Sequence, residues 1–115
     1  MSESILRDKS KEFAIDIVNL CREIKEKTRE SILTRQLIRS GTSIGANIYE
    51  AAYAQSKADF ISKLKIALKE CYESEYWMDI LYETNYIEDS RSYMKIRNEC
   101  GSLRRMLISS VNTST

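Results

Sequence analysis

Proline is absent from all 115 residues of this chain, and glycine occurs only three times. Proline inside a helix removes a backbone hydrogen bond and collides with the preceding turn, so a chain without it can run long uninterrupted helices. Leu, Ala, Glu, Lys and Arg, all good helix formers, are plentiful, as is Ile. Apolar residues recur at steps of three and four, the spacing of one helical face.

That periodicity breaks into four segments. Helix one is predicted over about residues 5–27, with Ile5, Leu6, Phe13, Ile17, Leu20, Cys21 and Ile24 inward. Lys25 and Lys27 fall in its last turn, where cations suit the helix dipole. The polar stretch from Thr28 to Ser31 is short, which forces the next helix to return antiparallel. Helix two is predicted over 31–54, with Leu33, Leu37, Gly41, Ile44, Ile48, Ala51 and Gln55 inward. Ser56 then caps helix three (57–84), with Asp59 in place of the usual Glu of a capping box. Its inward face is Phe60, Leu64, Ala67, Leu68, Cys71, Met78 and Leu81, and Asn85 is a left-handed C-cap. Ile87 plugs the end of the core. Asp89 or Ser90 opens helix four (89–112), with Tyr93, Ile96, Cys100, Leu103, Leu107 and Val111 inward and Gly101 as a weak spot. Residues 1–115 thus make one domain of the all-α class, an antiparallel up-down-up-down four-helix bundle.

The stretch Arg39 to Ala52 is the most distinctive. Gly41 and Gly45 lie on its apolar face, and a glycine inside a helix costs about 1 kcal/mol relative to alanine. Close approach of helix one or helix three would offset that cost. Beside this face runs a polar line of Gln36, Ser40, Ser43, Asn47 and Glu50. In a hairpin turning near Ser56 and Lys57, residues lying equally far from the turn are level, because both helices rise ~1.5 Å per residue. Glu50 then meets Lys63, Ser43 is level with Glu70, and Arg39 meets Glu73 or Ser74. The expected inter-helix seam is Arg39, Gly41, Ser43, Gly45, Asn47, Glu50, Lys63, Glu70 and Glu73. Its cross-helix pairs should be partly buried, with Ser43 and Asn47 hydrogen-bonded.

Chemistry is poorly provided for. Histidine is absent, which removes the commonest general base and metal ligand. Glu70 and Glu73 have the spacing of a carboxylate-bundle metal motif, but no histidine completes it, so no metal, cofactor or catalytic residue is expected. Gly41 and Gly45 follow no strand and so form no phosphate loop. Cys21, Cys71 and Cys100 sit one per helix in apolar phase, as buried thiols of a reducing cytoplasm do. No signal peptide and no bilayer-spanning run is read, so the expected location is cytoplasmic.

Two surfaces remain. Arg91, Lys95, Arg97, Arg104 and Arg105 make helix four basic, opposite the acidic Glu70, Glu73, Glu75, Asp79 and Glu83 of helix three. Those charges either complement one another or leave a candidate nucleic-acid contact. Beyond its core stripe, helix three also carries Ile66, Tyr76, Trp77 and Ile80, and helix two carries Tyr49 and Tyr53 on its outer side. That surplus predicts a homo-oligomer with helix three at the contact.

The residues Arg39-Ser40-Gly41-Thr42-Ser43-Ile44-Gly45-Ala46-Asn47-Ile48, with Glu50-Ala51, Ser56-Lys57, Asp59-Phe60, Lys63, Ala67-Leu68-Lys69-Glu70, Glu73 and Trp77, carry a resemblance over nearly the whole chain. It resembles the bacterial four-helix-bundle family first noticed as reading frames in intervening sequences of 23S ribosomal RNA genes. That family often has a second acid where this chain has Tyr49. The resemblance implies a bundle that assembles as a ring, commonly a pentamer. It also implies a relation to the basic pentameric accessory protein of diversity-generating retroelements, which binds reverse transcriptase and nucleic acid; this chain, at net charge +1, is close to neutral. The expected function is a non-catalytic homo-oligomeric scaffold or interaction protein. The alternative is an accessory protein for RNA or a ribonucleoprotein, and an enzyme is the least supported reading.

Overall fold

A computed structural model describes residues 3–115 as four helices, α1 (Glu3–Thr28), α2 (Ile32–Ala51), α3 (Lys57–Glu83) and α4 (Ser90–Ser114). Each packs on its neighbour in chain order and α4 closes on α1, while the diagonal pairs stay apart. That is the up-down-up-down four-helix bundle. It measures 44 × 21 × 19 Å, and the long dimension follows from helices of 20 to 27 residues at ~1.5 Å per residue.

The helix ends show how the sequence sets these lengths. Ser56 Oγ accepts the Asp59 N–H at 3.0 Å, and Asp59 Oδ2 reaches back to the Gln55 N–H at 3.1 Å. The shorter Asp side chain thus completes the capping box one residue upstream of its usual partner. Asn85 has φ 70°, and Tyr86 N–H and Asn85 N–H donate to Leu81 O and Tyr82 O, a Schellman end to α3. Ile87 folds back and is buried below it. Asp89 caps α4, accepting from the Arg91 N–H at 3.1 Å and the Ser92 hydroxyl at 3.0 Å.

Two boundaries differ from the sequence reading. α2 ends at Ala51 instead of residue 54. Ala52, Tyr53 and Ala54 donate to carbonyls three residues back, tightening the chain into the turn before Ser56. No glycine or proline marks that stop, so Ala-rich composition extended the helix on paper, and Gln55 lies outside it, exposed. At the other end of α2, Ser31 occupies the N-cap position but its hydroxyl makes no capping bond. Glu30 does the work: its carboxylate accepts the N–H groups of Ile32, Leu33 and Thr34, each at 2.9 Å.

The core runs the length of the bundle from Leu6, Phe13, Ile17, Leu37, Ile44, Leu64, Met78, Leu81, Leu103 and Leu107. Of the expected inward residues, Ile5 is exposed. Both close-approach glycines serve α1. A Cβ on Gly41 would stand 3.0 Å from Ile17 Cγ2, and one on Gly45 would stand 3.3 Å from Ser10 Oγ. Cys21, Cys71 and Cys100 are buried free thiols. Burial pushes Cys21 up to about 12.

Candidate functional site

The α2–α3 seam is built from the polar line of α2. Lys63 Nζ meets Glu50 Oε1 at 3.0 Å, and Arg39 contacts both Glu70 Oε2, at 3.2 Å, and Glu73 Oε2. Arg39 and Glu50 are about half exposed while Glu70 and Lys63 lie deeper, so these pairs are partly buried and form the rim of the seam. Beneath the rim the link between helices is Ser74 Oγ donating to Ser40 Oγ at 2.9 Å, with both residues fully buried. Ser43 and Asn47 bond each other within α2 instead of across the seam: Asn47 Nδ2 donates to Ser43 O and Oγ. Glu73 also accepts the indole N–H of Trp77 at 3.0 Å. That bond, then the Arg39 guanidinium, holds the Glu73 carboxyl below its usual range.

The α3–α4 seam is an ion-pair network. Glu75, only 6% exposed, takes Arg97 Nη1 at 2.6 Å and Arg104 Nε at 3.1 Å on the same oxygen. Arg97 also grips Asp79 with Nε and Nη2, at 2.9 and 3.2 Å, and the Tyr93 hydroxyl donates to Asp79 at 2.6 Å. Burial pushes the Asp79 carboxyl up, but Arg97 and Tyr93 together hold it below its usual range. Tyr93 stacks on Tyr82, with centroids 4.0 Å apart. Arg104 lies over the Tyr72 ring. On the α1–α4 side, Lys95 bridges Asp16 and Glu99. Burial, then Asp16 beside it, raises the Glu99 carboxyl. Three of the five helix-four cations therefore face carboxylates of their own bundle, and only Arg91 and Arg105 are left without an ion pair among the described residues.

The aromatic surplus divides between two faces. Ser40, Arg39 and Glu50 mark the side of α2 that meets α3, whereas Gly41 and Gly45 mark the side that meets α1. Tyr49 stands one turn beyond Gly45 and therefore lies on the α1 side, with Tyr53 5.6 Å from it. Ile66, Tyr76 and Ile80 lie on α3, opposite or beside its buried stripe of Leu64, Ala67, Cys71, Met78 and Leu81. Trp77 packs against the core and touches Tyr76 edge-on at 5.1 Å.

A family model for the 23S rRNA-intervening sequence protein matches residues 2–109. The chain belongs to that family. It is also similar to a crystal structure at 1.70 Å described as a protein with unknown function from the S23 ribosomal protein family of Bacteroides thetaiotaomicron VPI-5482. The two share 47% identity over 97% of this chain and 99% of that one, with a TM-score of 0.94. No curated protein matches the chain.

In this intervening-sequence-family chain no described helix is long and apolar enough to cross a membrane. Nor is any group of three or more Cys, Asp or Glu, among the described residues, placed to hold a metal. The buried polar residues that sequence reasoning missed are Ser10, Thr34, Ser74 and Glu75, and the half-buried Glu30 cap was missed with them. Ser74 and Glu75 lie three and four residues after Cys71, inside the apolar stripe, so the 3.6-residue period places them in the core. Their polarity alone hid them.

Proposed function

We propose that this protein is a non-catalytic homo-oligomeric interaction module whose subunits join head to tail. The observation that carries the reading is that, apart from Ile5, Ile32 and Met94, the exposed large apolar side chains fall on two separate faces. One is the outer face of α3, centred on Tyr76, which is 59% exposed, with the exposed Tyr72 and Ile66 and the half-buried Ile80 on the same face. The other is the outer side of α1 together with the α1-side edge of α2, with Ile15 51% exposed on α1, and Ile38 and Tyr49, 55% exposed, on α2. A two-fold dimer uses one patch twice; a closed ring uses two different patches that fit each other. Tyrosine and isoleucine exposed in this amount are normally covered, since contiguous apolar patches are rare on monomers. Five subunits is the number suggested by the family resemblance. Helix four gives a nucleic-acid-binding accessory role little support, because Lys95, Arg97 and Arg104 are neutralised in place.

Light scattering after size exclusion tests the reading, with a mass several times that of the chain expected. Tyr76→Arg and Ile15→Arg should each reduce it. Mixing the two variants should restore a single good contact and stop at a pair, because each lacks one of the two faces. A concentration-independent monomer in the wild type, or a mixture that assembles no further than either variant alone, refutes head-to-tail association.

A further inference from the structure

We infer that the α1–α2 turn forms a cleft that binds phosphate groups. The cleft is about 530 Å³ and is lined by Arg22, Lys25, Glu26, Arg29, Ser31 and Arg35. Four cations thus meet one carboxylate, and none of the four is ion-paired among the described residues. Arg39, Lys63, Lys95, Arg97 and Arg104 have carboxylate partners in the bundle, and the other cations of the chain have none among the described residues; what distinguishes these four is that they line one cleft together.

Ordinary helix chemistry explains only part of this cluster. Lys25 is a cation in the last turn of α1, where the dipole favours it. Arg35 sits near the start of α2, where the dipole opposes a cation; the first turn holds no acid of its own, and the Glu30 carboxylate just before it is bonded to the backbone N–H groups instead of to Arg35. Arg22 and Lys25, and again Lys25 and Arg29, stand three and four apart and repel. Arg29 has φ 65°, a left-handed conformation that the chain elsewhere gives to Asn85. An arginine there is unfavourable relative to glycine or asparagine, so its guanidinium has a use that its backbone does not explain. Ser31, displaced from its capping role by Glu30, keeps its hydroxyl for the cleft. Glu30 itself is committed to three backbone N–H groups.

Three arginines and a hydroxyl suit the oxygens of a phosphate, which arginine recognises with paired N–H donors. Arg22 to Arg29 extends ~10 Å along α1, long enough to meet successive phosphates of one strand. The phosphates belong to an RNA strand or to a free oligophosphate, and the same cleft serves both. This inference does not rest on self-association, and either can fail alone.

Fluorescence anisotropy of a labelled single-stranded RNA with the full-length protein reads binding directly. Four neutralised phosphates predict a log–log salt slope of about −3, or binding ~50-fold weaker at ~200 mM than at ~50 mM salt. Arg29→Gly should weaken binding about tenfold and reduce the slope by ~0.7, while raising the melting temperature by ~4 °C through relief of the left-handed arginine. Arg35→Gln should weaken it similarly, and Arg105→Gln, on α4, should not. Displacement of the RNA by inorganic tripolyphosphate supports a strand as the source. Calorimetric binding of tripolyphosphate with no RNA binding supports a small phosphate ligand in the same cleft. The inference is overturned if neither probe binds at low salt, if poly-glutamate binds as tightly as the phosphates, or if Arg29→Gly and Arg35→Gln bind like wild type.

Discussion

The three glycines form an internally controlled test of how closely α1 and α2 pack. Replacing a mid-helix glycine by alanine gains about 1 kcal/mol of helix propensity wherever the new methyl has room. At Gly101 it would meet only the guanidinium ends of Arg105, at 3.3 Å, and Arg104, at 3.5 Å. Those are the far ends of flexible side chains and can yield, so Gly101→Ala should keep the full gain and raise the melting temperature by ~4 °C. At Gly45 the methyl would press Ser10 Oγ at 3.3 Å and the Ser10 backbone at 3.5 Å, so gain and strain should nearly cancel. At Gly41 it would meet three atoms of Ile17 at 3.0, 3.2 and 3.4 Å. Ile17 is fully buried and β-branched, with little rotamer freedom to give way. Overpacking of this kind costs ~1–3 kcal/mol, so Gly41→Ala should lose about 1 kcal/mol net, and Gly41→Leu more. Urea unfolding followed by circular dichroism at one fixed protein concentration gives the order, read from midpoints at unchanged slope. If Gly41→Ala stabilises as much as Gly101→Ala, contact with Ile17 does not limit the helix spacing.

Other outcomes follow from the seams. Glu75→Gln should lower stability by about 2 kcal/mol, less than for a fully buried pair because Arg97 and Arg104 can turn toward water; an unshifted urea midpoint would show the network to be idle. Acidification should act in two stages. Glu99, with its folded value raised, adds stability as the pH falls through that value, whereas Glu73 and Asp79, with theirs lowered, hold their contribution above the unfolded carboxylate range and lose it as the pH falls through their folded values. Melting temperature against pH should therefore rise and then fall, and Glu99→Gln should remove the rise. Thiol reagents at neutral pH should label none of the cysteines in the folded protein, because burial raises Cys21, and Cys71 with burial raises Cys100; rapid native labelling would refute that protection.

Apolar periodicity made the four helices and their order legible, and the ends carried by a side chain with a defined role were legible with them. Ser56, Asn85 and Asp89 are of this kind, since each residue type has one common use at a helix end. The end of α2 was not, because alanine fits both a helix and the tight turn that replaces it. Level positions in a hairpin follow from the rise per residue alone, which is why Glu50 could be set against Lys63 from the sequence. Which charges on α4 stay free was not legible. That depends on the rotation of α4 about its axis, which turns Arg97 and Arg104 onto Glu75 and leaves Arg105 outside. The α1–α2 cleft was hidden for a related reason: Lys25 reads as an ordinary last-turn cation until the turn brings Arg29 and Arg35 into one cleft with it and Arg22.

The hydroxyl pair between Ser40 and Ser74 bears on more than the stability of one hairpin. Two apolar stripes can slide past each other by a turn and still bury much the same area. A slip of α3 by one turn, ~5.4 Å, would instead set Ser40 level with Glu70 or Met78 and leave a buried hydroxyl without its partner. The height of Tyr76 relative to Ile15 and Tyr49 is thereby fixed. In a head-to-tail assembly that height is the pitch. At zero offset the last subunit meets the first and the assembly closes; an offset of one turn per subunit accumulates into an open screw. If the chain assembles head to tail as proposed, replacing both serines by alanine should be read not only in the melting temperature but in the electron microscope, as filaments in place of closed particles.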